Sequence, residues 1–158
     1  MPSSRTSGAE PLFLDTSVLV RLYYLEPEDP FEWAVDLAQR PGTLLAASHL
    51  AYVETLATFH ALRRGRAITS RRQASLSAAF RADWPAFLRV PLSPPVVQLA
   101  GALAEEHPLR GADALQLASF AWLWEKEGKG RFFTLDRRLY LVARDLVPTV
   151  SVPAFEEV

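Results

Sequence analysis

Pro11-Leu12-Phe13-Leu14-Asp15-Thr16-Ser17-Val18-Leu19-Val20 joins a short apolar run to an acid, two hydroxyls and a second apolar run. The first run is too short for a helix and suits a buried strand. Asp15, Thr16 and Ser17 are residue types that cap a helix start, so the stretch reads as strand, turn, helix. Thr43-Leu44-Leu45-Ala46-Ala47 shows the same order, with Ser48 capping a helix from His49 to about Arg64. Phe87 to Leu92 reads as a third strand before Ser93-Pro94-Pro95, which opens a helix reaching Glu106. Arg131-Phe132-Phe133-Thr134-Leu135 reads as a fourth strand, and Asp136 opens a helix through Leu139, Val142 and Ala143. Two further helices, Phe31 to Arg40 and Thr69 to about Trp84, are bounded by proline and glycine. Pro148 to Pro153 is expected as a last strand at a sheet edge, where proline is tolerated. Short apolar strands alternating with helices indicate an α/β domain around a mainly parallel sheet of about five strands.

The remaining helix starts in Leu109-Arg110-Gly111-Ala112-Asp113-Ala114-Leu115-Gln116-Leu117-Ala118 and runs from 111 to about 127, where Gly128 and Gly130 stop it. It is apolar almost all the way round, so burial is expected. An ionised side chain there must be paired or coordinated, or its pKa rises until it is neutral. Asp113 therefore needs a reason to be present. The helix dipole supplies one, and a metal site supplies another.

Composition narrows the choice. At 158 residues, 49% hydrophobic and 22% charged, the chain reads as one ordinary globular domain over 10–158 behind a small, polar, flexible tail over 1–9. No apolar run reaches the ~18 residues of a membrane span, and the start lacks a hydrophobic signal core, so a cytoplasmic location away from membranes is expected. The absence of cysteine excludes disulfides, thiol nucleophiles and thiolate zinc sites, and the three histidines are scattered. Any metal must then sit among oxygen ligands, which favours Mg²⁺ or Mn²⁺. A net charge of −1 does not advertise nucleic-acid binding, although fifteen of the seventeen basic residues are arginine.

In an open parallel sheet, ligands collect at the carboxyl ends of the strands. Asp15 ends the first strand and Asp136 the fourth, so topology brings both to one rim. Asp113 begins the helix before that fourth strand, and Glu54 lies in the helix after the second. There Leu50, Glu54, Ala57 and Ala61 share a face, which sets Glu54 in an apolar stripe. Each acid has a structural alternative: a turn or cap for Asp15 and Asp136, an arginine partner or solvent for Glu54, the dipole for Asp113. Gathered together, the four would repel and raise one another's pKa, and a divalent cation resolves the repulsion. Such a cation can activate water and stabilise the leaving oxygen of a phosphodiester, which is nuclease chemistry.

These residues also carry a family resemblance. Leu12 to Ser17, Glu54 in Ser48 to Leu56, Leu109 to Ala118, and Phe133-Thr134-Leu135-Asp136 resemble, in order, the motifs of PIN-domain proteins, in particular the VapC-type toxins of toxin–antitoxin pairs. The match covers nearly the whole chain after residue 10, with Gln116 standing where many relatives carry histidine. The resemblance implies a parallel sheet flanked by helices and Mg²⁺- or Mn²⁺-dependent RNA cleavage. It implies a homodimer inhibited by a cognate antitoxin. Asp15, Asp113 and Asp136 then become metal ligands, and Glu54 completes the acidic catalytic pocket. Thr16, Ser17 and Thr134 are assigned to orienting metal-bound water.

Arg63, Arg64, Arg66, Arg71 and Arg72 form the dense basic segment, which reads as a solvated helix junction or as a contact for RNA or an acidic antitoxin tail. Trp33, Trp84, Trp122 and Trp124 suit the core or a dimer interface better than base stacking. Two other functions compete. An aspartyl phosphotransferase would use Asp15 as nucleophile, but Ser17 stands where a second acid belongs. A catalytically silent RNA-binding or interaction module would keep the fold without metal chemistry. Nucleotide-cofactor binding fares worse, since the chain has neither a Gly-x-Gly-x-x-Gly turn nor a Gly-Lys-Ser/Thr loop.

Overall fold

Four short strands, β1 (Pro11–Leu14), β2 (Leu44–Ser48), β3 (Leu88–Val90) and β4 (Arg131–Phe133), pair in parallel in the order β3-β2-β1-β4. They come from a computed structural model that describes residues 9–146. The sheet thus has four strands among the described residues rather than about five, and the strand expected at 148–153 lies outside them. Among the described residues seven helices surround it: α1 (Thr16–Arg21), α2 (Glu32–Ala38), α3 (His49–Arg64), α4 (Ser70–Asp83), α5 (Pro94–Glu106), α6 (Gly111–Glu127) and α7 (Arg137–Leu146). No helix among the described residues is long and apolar enough to cross a membrane.

The strand period of two divides the core into two layers. Leu12, Leu14, Ala47 and Phe133 face a cluster with Val18, Leu19, Phe59 and Phe80 from α1, α3 and α4. Phe13, Ala46, Val90 and Phe132 face the opposite cluster, which holds Val96, Leu117, Phe120 and Leu139 from α5, α6 and α7. Phe13 stacks on Phe132 at 5.8 Å and meets Phe120 edge-on at 5.9 Å. These are favourable aromatic geometries at the centre of the molecule. The result is a three-layer α/β/α architecture.

Two expected strands are shorter than their apolar runs. The fourth ends at Phe133 because Thr134 and Leu135 turn their polar groups toward Asp15 and Ser17. The third spans only Leu88–Val90, after a 3₁₀ turn at Trp84–Ala86 built around Pro85. The first helix stops at Arg21, and the second is trimmed to Glu32–Ala38. Helix α6 matches its expected span and ends at Gly128, whose left-handed φ of 70° lets its N–H reach the Trp124 carbonyl at 2.8 Å.

Helix α3 is turned differently from the expected stripe. Ala51, Thr55 and Phe59 are buried, Glu54 flanks them half-buried, and Ala57 and Ala61 are exposed. Phe59 decides the phase, because burying one aromatic ring outweighs burying two alanine methyls. Trp33 packs on Phe133, Trp84 packs among Tyr52, Phe80 and Phe87, and Trp122 and Trp124 cover the second cluster. All four tryptophans therefore serve the packing.

Candidate active site

Strand order reverses at β1, since β2 and β3 lie on one side of it and β4 on the other. This switch point opens a crevice at the carboxyl ends of β1 and β4. Asp15 directly follows β1, and its N–H continues the ladder to the Phe133 carbonyl at 3.0 Å. Thr134 and Asp136 follow β4 at the same rim. Helix α6 feeds β4, so it runs back along the sheet and starts at that rim, with Asp113 in its first turn. A cleft of about 280 Å³ results, lined by Asp15, Thr16, Ser17, Glu54, Arg110, Ala112, Asp113, Gln116 and Asp136. Depressions of about 510 and 330 Å³ lie elsewhere, and neither gathers acids as this cleft does.

All four sequence-selected acids line this cleft, and three of them also perform the local structural role that competed with the site reading. Asp15 caps α1, its Oδ1 accepting the Ser17 N–H at 3.2 Å. Asp136 caps α7, its Oδ1 accepting the N–H groups of Arg138 at 2.9 Å and Leu139 at 3.2 Å. Asp113 accepts the Arg110 backbone N–H at 3.3 Å. Such caps are typically worth about 1 kcal/mol each, and they hold the carboxylates still. Capping and site roles are therefore compatible on one side chain.

Hydroxyls supply the rest of the scaffold. The Thr134 hydroxyl donates to Asp15 Oδ2 and accepts the Asp136 N–H at 3.0 Å. The Ser17 hydroxyl donates to the same Asp15 oxygen at 3.1 Å and accepts the Leu135 N–H at 3.0 Å. These two side chains lace the ends of β1 and β4 together around Asp15. Burial raises the Asp15 pKa above its ordinary value, the Glu54 charge adds to the rise, and the Thr134 and Ser17 donors oppose it. Glu54 has its own pair of donors. Its Oε1 accepts from the Thr16 hydroxyl at 2.7 Å and from Gln116 Nε2 at 3.2 Å.

Two cleft residues escaped the sequence reading. Gln116, noted only as a departure at a histidine position, is buried and donates to Thr16 Oγ1 at 3.0 Å as well as to Glu54. Its Oε1 is buried without a hydrogen-bond partner. Helical spacing offered a signal, since Asp113 and Gln116 are three residues apart and share a face. Arg110 is the second. Its Nε lies 3.3 Å from Asp113 Oδ2 and its Nη2 3.4 Å from Asp136 Oδ2, so one guanidinium bridges two of the acids. In contrast, Arg63, Arg64, Arg66, Arg71 and Arg72 lie outside the cleft, at the junction of α3 and α4. By helical rise, Arg64 is about 15 Å along α3 from Glu54.

The donor set is carboxylate, hydroxyl and amide oxygen, which suits a hard divalent cation and excludes a soft one. Among the described residues, no three acids or histidines are already gathered as a ready metal site. Asp113 and Asp136 instead share Arg110.

A family model described as PIN domain matches residues 12–145. Ribonuclease VapC45 of Mycobacterium tuberculosis (strain CDC 1551 / Oshkosh) is 41% identical over 73 residues, which are 46% of this chain and 51% of that protein. The chain thus spans about half the length of the curated relatives it matches. The crystal structure of Mycobacterium tuberculosis VapC20, a Sarcin-Ricin loop cleaving toxin, superposes with a TM-score of 0.58 at 21% identity, covering 83% of this chain and 94% of that one. That of FitAcB from Neisseria gonorrhoeae gives a TM-score of 0.62 at 17% identity over 84% of this chain and 93% of that one. At these identities the structural likeness concerns the fold.

Proposed function

The chain belongs to the PIN domain family, and from that premise we propose that it is a Mg²⁺- or Mn²⁺-dependent endoribonuclease acting as the toxin of a toxin–antitoxin pair. One observation carries the reading: four carboxylates from four separate segments of the chain line one cleft at the switch point of a parallel sheet. The names of the related proteins, a ribonuclease and a Sarcin-Ricin loop cleaving toxin, support RNA as the substrate and toxin as the role. A cognate antitoxin and a second copy of the chain complete the proposed assembly.

In this reading Asp15, Asp113 and Asp136 hold the cation, and Glu54 completes the acidic pocket. When bound, the cation supplies the Lewis acidity that lowers the pKa of water and stabilises the leaving oxygen. The protein's part is orientation. Ser17 and Thr134 aim Asp15, the α7 cap fixes one oxygen of Asp136, and Thr16 with Gln116 fixes Glu54. Holding the ligands in place before the substrate arrives limits the reorganisation needed during reaction.

Cleavage of single-stranded RNA with Mn²⁺ or Mg²⁺ tests the proposal. Asp15→Asn and Asp113→Asn are each expected to lower the rate by on the order of 10²-fold or more. Undiminished cleavage in both variants would overturn it. A second reading, a catalytically silent interaction module, is favoured by the Arg110 bridge, which already pairs with two of the acids. It predicts no acid-dependent Mn²⁺ binding in calorimetry.

A further inference from the structure

Arg110 is the N-cap residue of α6, and an arginine has no acceptor with which to cap a helix, so its side chain is left to make other contacts. The side chain is 65% exposed at the mouth of the acidic cleft, with its guanidinium against one oxygen each of Asp113 and Asp136. Those two carboxylates, with Glu54, raise its pKa further, so it is a permanent cation. The fork has five donors, and its contacts with the two acids use only Nε and Nη2. A guanidinium so placed stands where a cation between Asp113 and Asp136 would stand. It is also exposed enough to swing outward by side-chain rotation alone.

We propose that Arg110 binds a phosphate of the nucleic-acid substrate, and that Asp113 and Asp136 hold it in a waiting position until a divalent cation takes its place. The proposal rests on the nuclease reading above. Carboxylate and phosphate compete for one fork, because both match its paired donors in the same way. In the resting cleft the acids win, being adjacent and fixed by their caps. Once a divalent ion satisfies them, the guanidinium loses its partners at the rim where an RNA backbone would pass. Asp113 and Asp136 would then face positive charge in both states, from Arg110 at rest and from a divalent ion when Arg110 is on the phosphate.

The experiment compares the full chain with Arg110→Met, which keeps length without charge, Arg110→Ala, and Arg110→Lys, which keeps charge without the fork. Calorimetric titration with Mn²⁺ alone reads the first half. Met and Ala are expected to bind Mn²⁺ about fivefold tighter, as removal of a unit charge ~4 Å from the ligands implies even in a water-like dielectric, and Lys is expected to stay near wild type. The salt dependence of KM for a single-stranded RNA oligonucleotide reads the second half. The log–log slope is expected to fall by about 0.7 in the Met and Ala variants, the loss of one phosphate contact. Unchanged Mn²⁺ affinity or an unchanged salt slope in both neutral variants overturns the assignment while wild-type cleavage leaves the nuclease reading standing. A wild type that binds no Mn²⁺ and cleaves no RNA removes both.

Discussion

Gln116 Nε2 lies 3.2 Å from Glu54 Oε1, joining helices α6 and α3 across 62 residues of chain. Thr16 closes the triangle, donating to the same oxygen at 2.7 Å and accepting from Gln116 at 3.0 Å. Glu54 is thereby fixed by donors from two other helices, both at the cleft. A residue that looked like a departure from a motif is the part that orients an acid.

Replacing Gln116 should separate orientation from packing. Gln116→Leu removes both donated bonds in a buried position and is expected to cost about 1–3 kcal/mol of stability and to lower kcat. Gln116→His restores an N–H donor and should recover most of the kcat. Equal kcat for the Leu variant and wild type in the RNA cleavage assay would show that Glu54 needs no such support.

Thr134→Val deletes a hydroxyl that links Asp15 to the Asp136 backbone while keeping the side-chain shape. Urea unfolding should report a loss of about 1–3 kcal/mol, since Asp15 and the Asp136 N–H each lose a partner in a buried setting. Mn²⁺ affinity should fall as well. Loss of stability with unchanged affinity would confine Thr134 to the fold.

Asp15 gives the pH dependence. Its folded pKa is raised, by burial first and by Glu54 in addition, so the native state holds the proton more tightly than the unfolded chain. The associated stability is fully present below the unfolded value near ~3.9 and is lost as pH rises through the folded value. In metal-free protein, the stability of wild type relative to Asp15→Asn should therefore decline as pH rises from about 4 through the raised folded value. A difference that stays constant over that window would contradict the raised pKa. Saturating Mn²⁺ should reverse the trend in wild type, because it binds the deprotonated carboxylate.

The second core layer closes tightly against β4. A Cβ placed on Gly130 would meet Phe120 Cε2 at 3.1 Å, so the strand enters directly over a ring already packed on Phe13 and Phe132. Gly130→Ala should destabilise by about 1–3 kcal/mol through forced repacking, and Phe120→Ala by about 3–5 kcal/mol through the cavity it leaves. Thermal unfolding checks both, and a larger effect from Gly130→Ala would reverse the expected order.

Much of the molecule is local in origin and therefore readable along the chain. Apolar runs ending in Asp15, Ser48 and Asp136 mark strand ends and helix caps, because capping is a bond between a side chain and its own next few residues. Alternation of strand and helix then implies a parallel sheet, and a parallel sheet brings Asp15 and Asp136 to one rim. The sequence by itself determined that much, with the apolar span of α6. Tertiary structure alone decided the phase of α3, since Phe59 turned the helix away from the alanine stripe and left Glu54 at its flank. It also decided the partners: Arg110 reaches Asp136 across 26 residues, and Gln116 reaches Glu54 across 62. Periodicity states which residues share a face of one element, but which oxygen meets which nitrogen depends on how separate elements pack, and that is set by the bulky side chains of the two core layers.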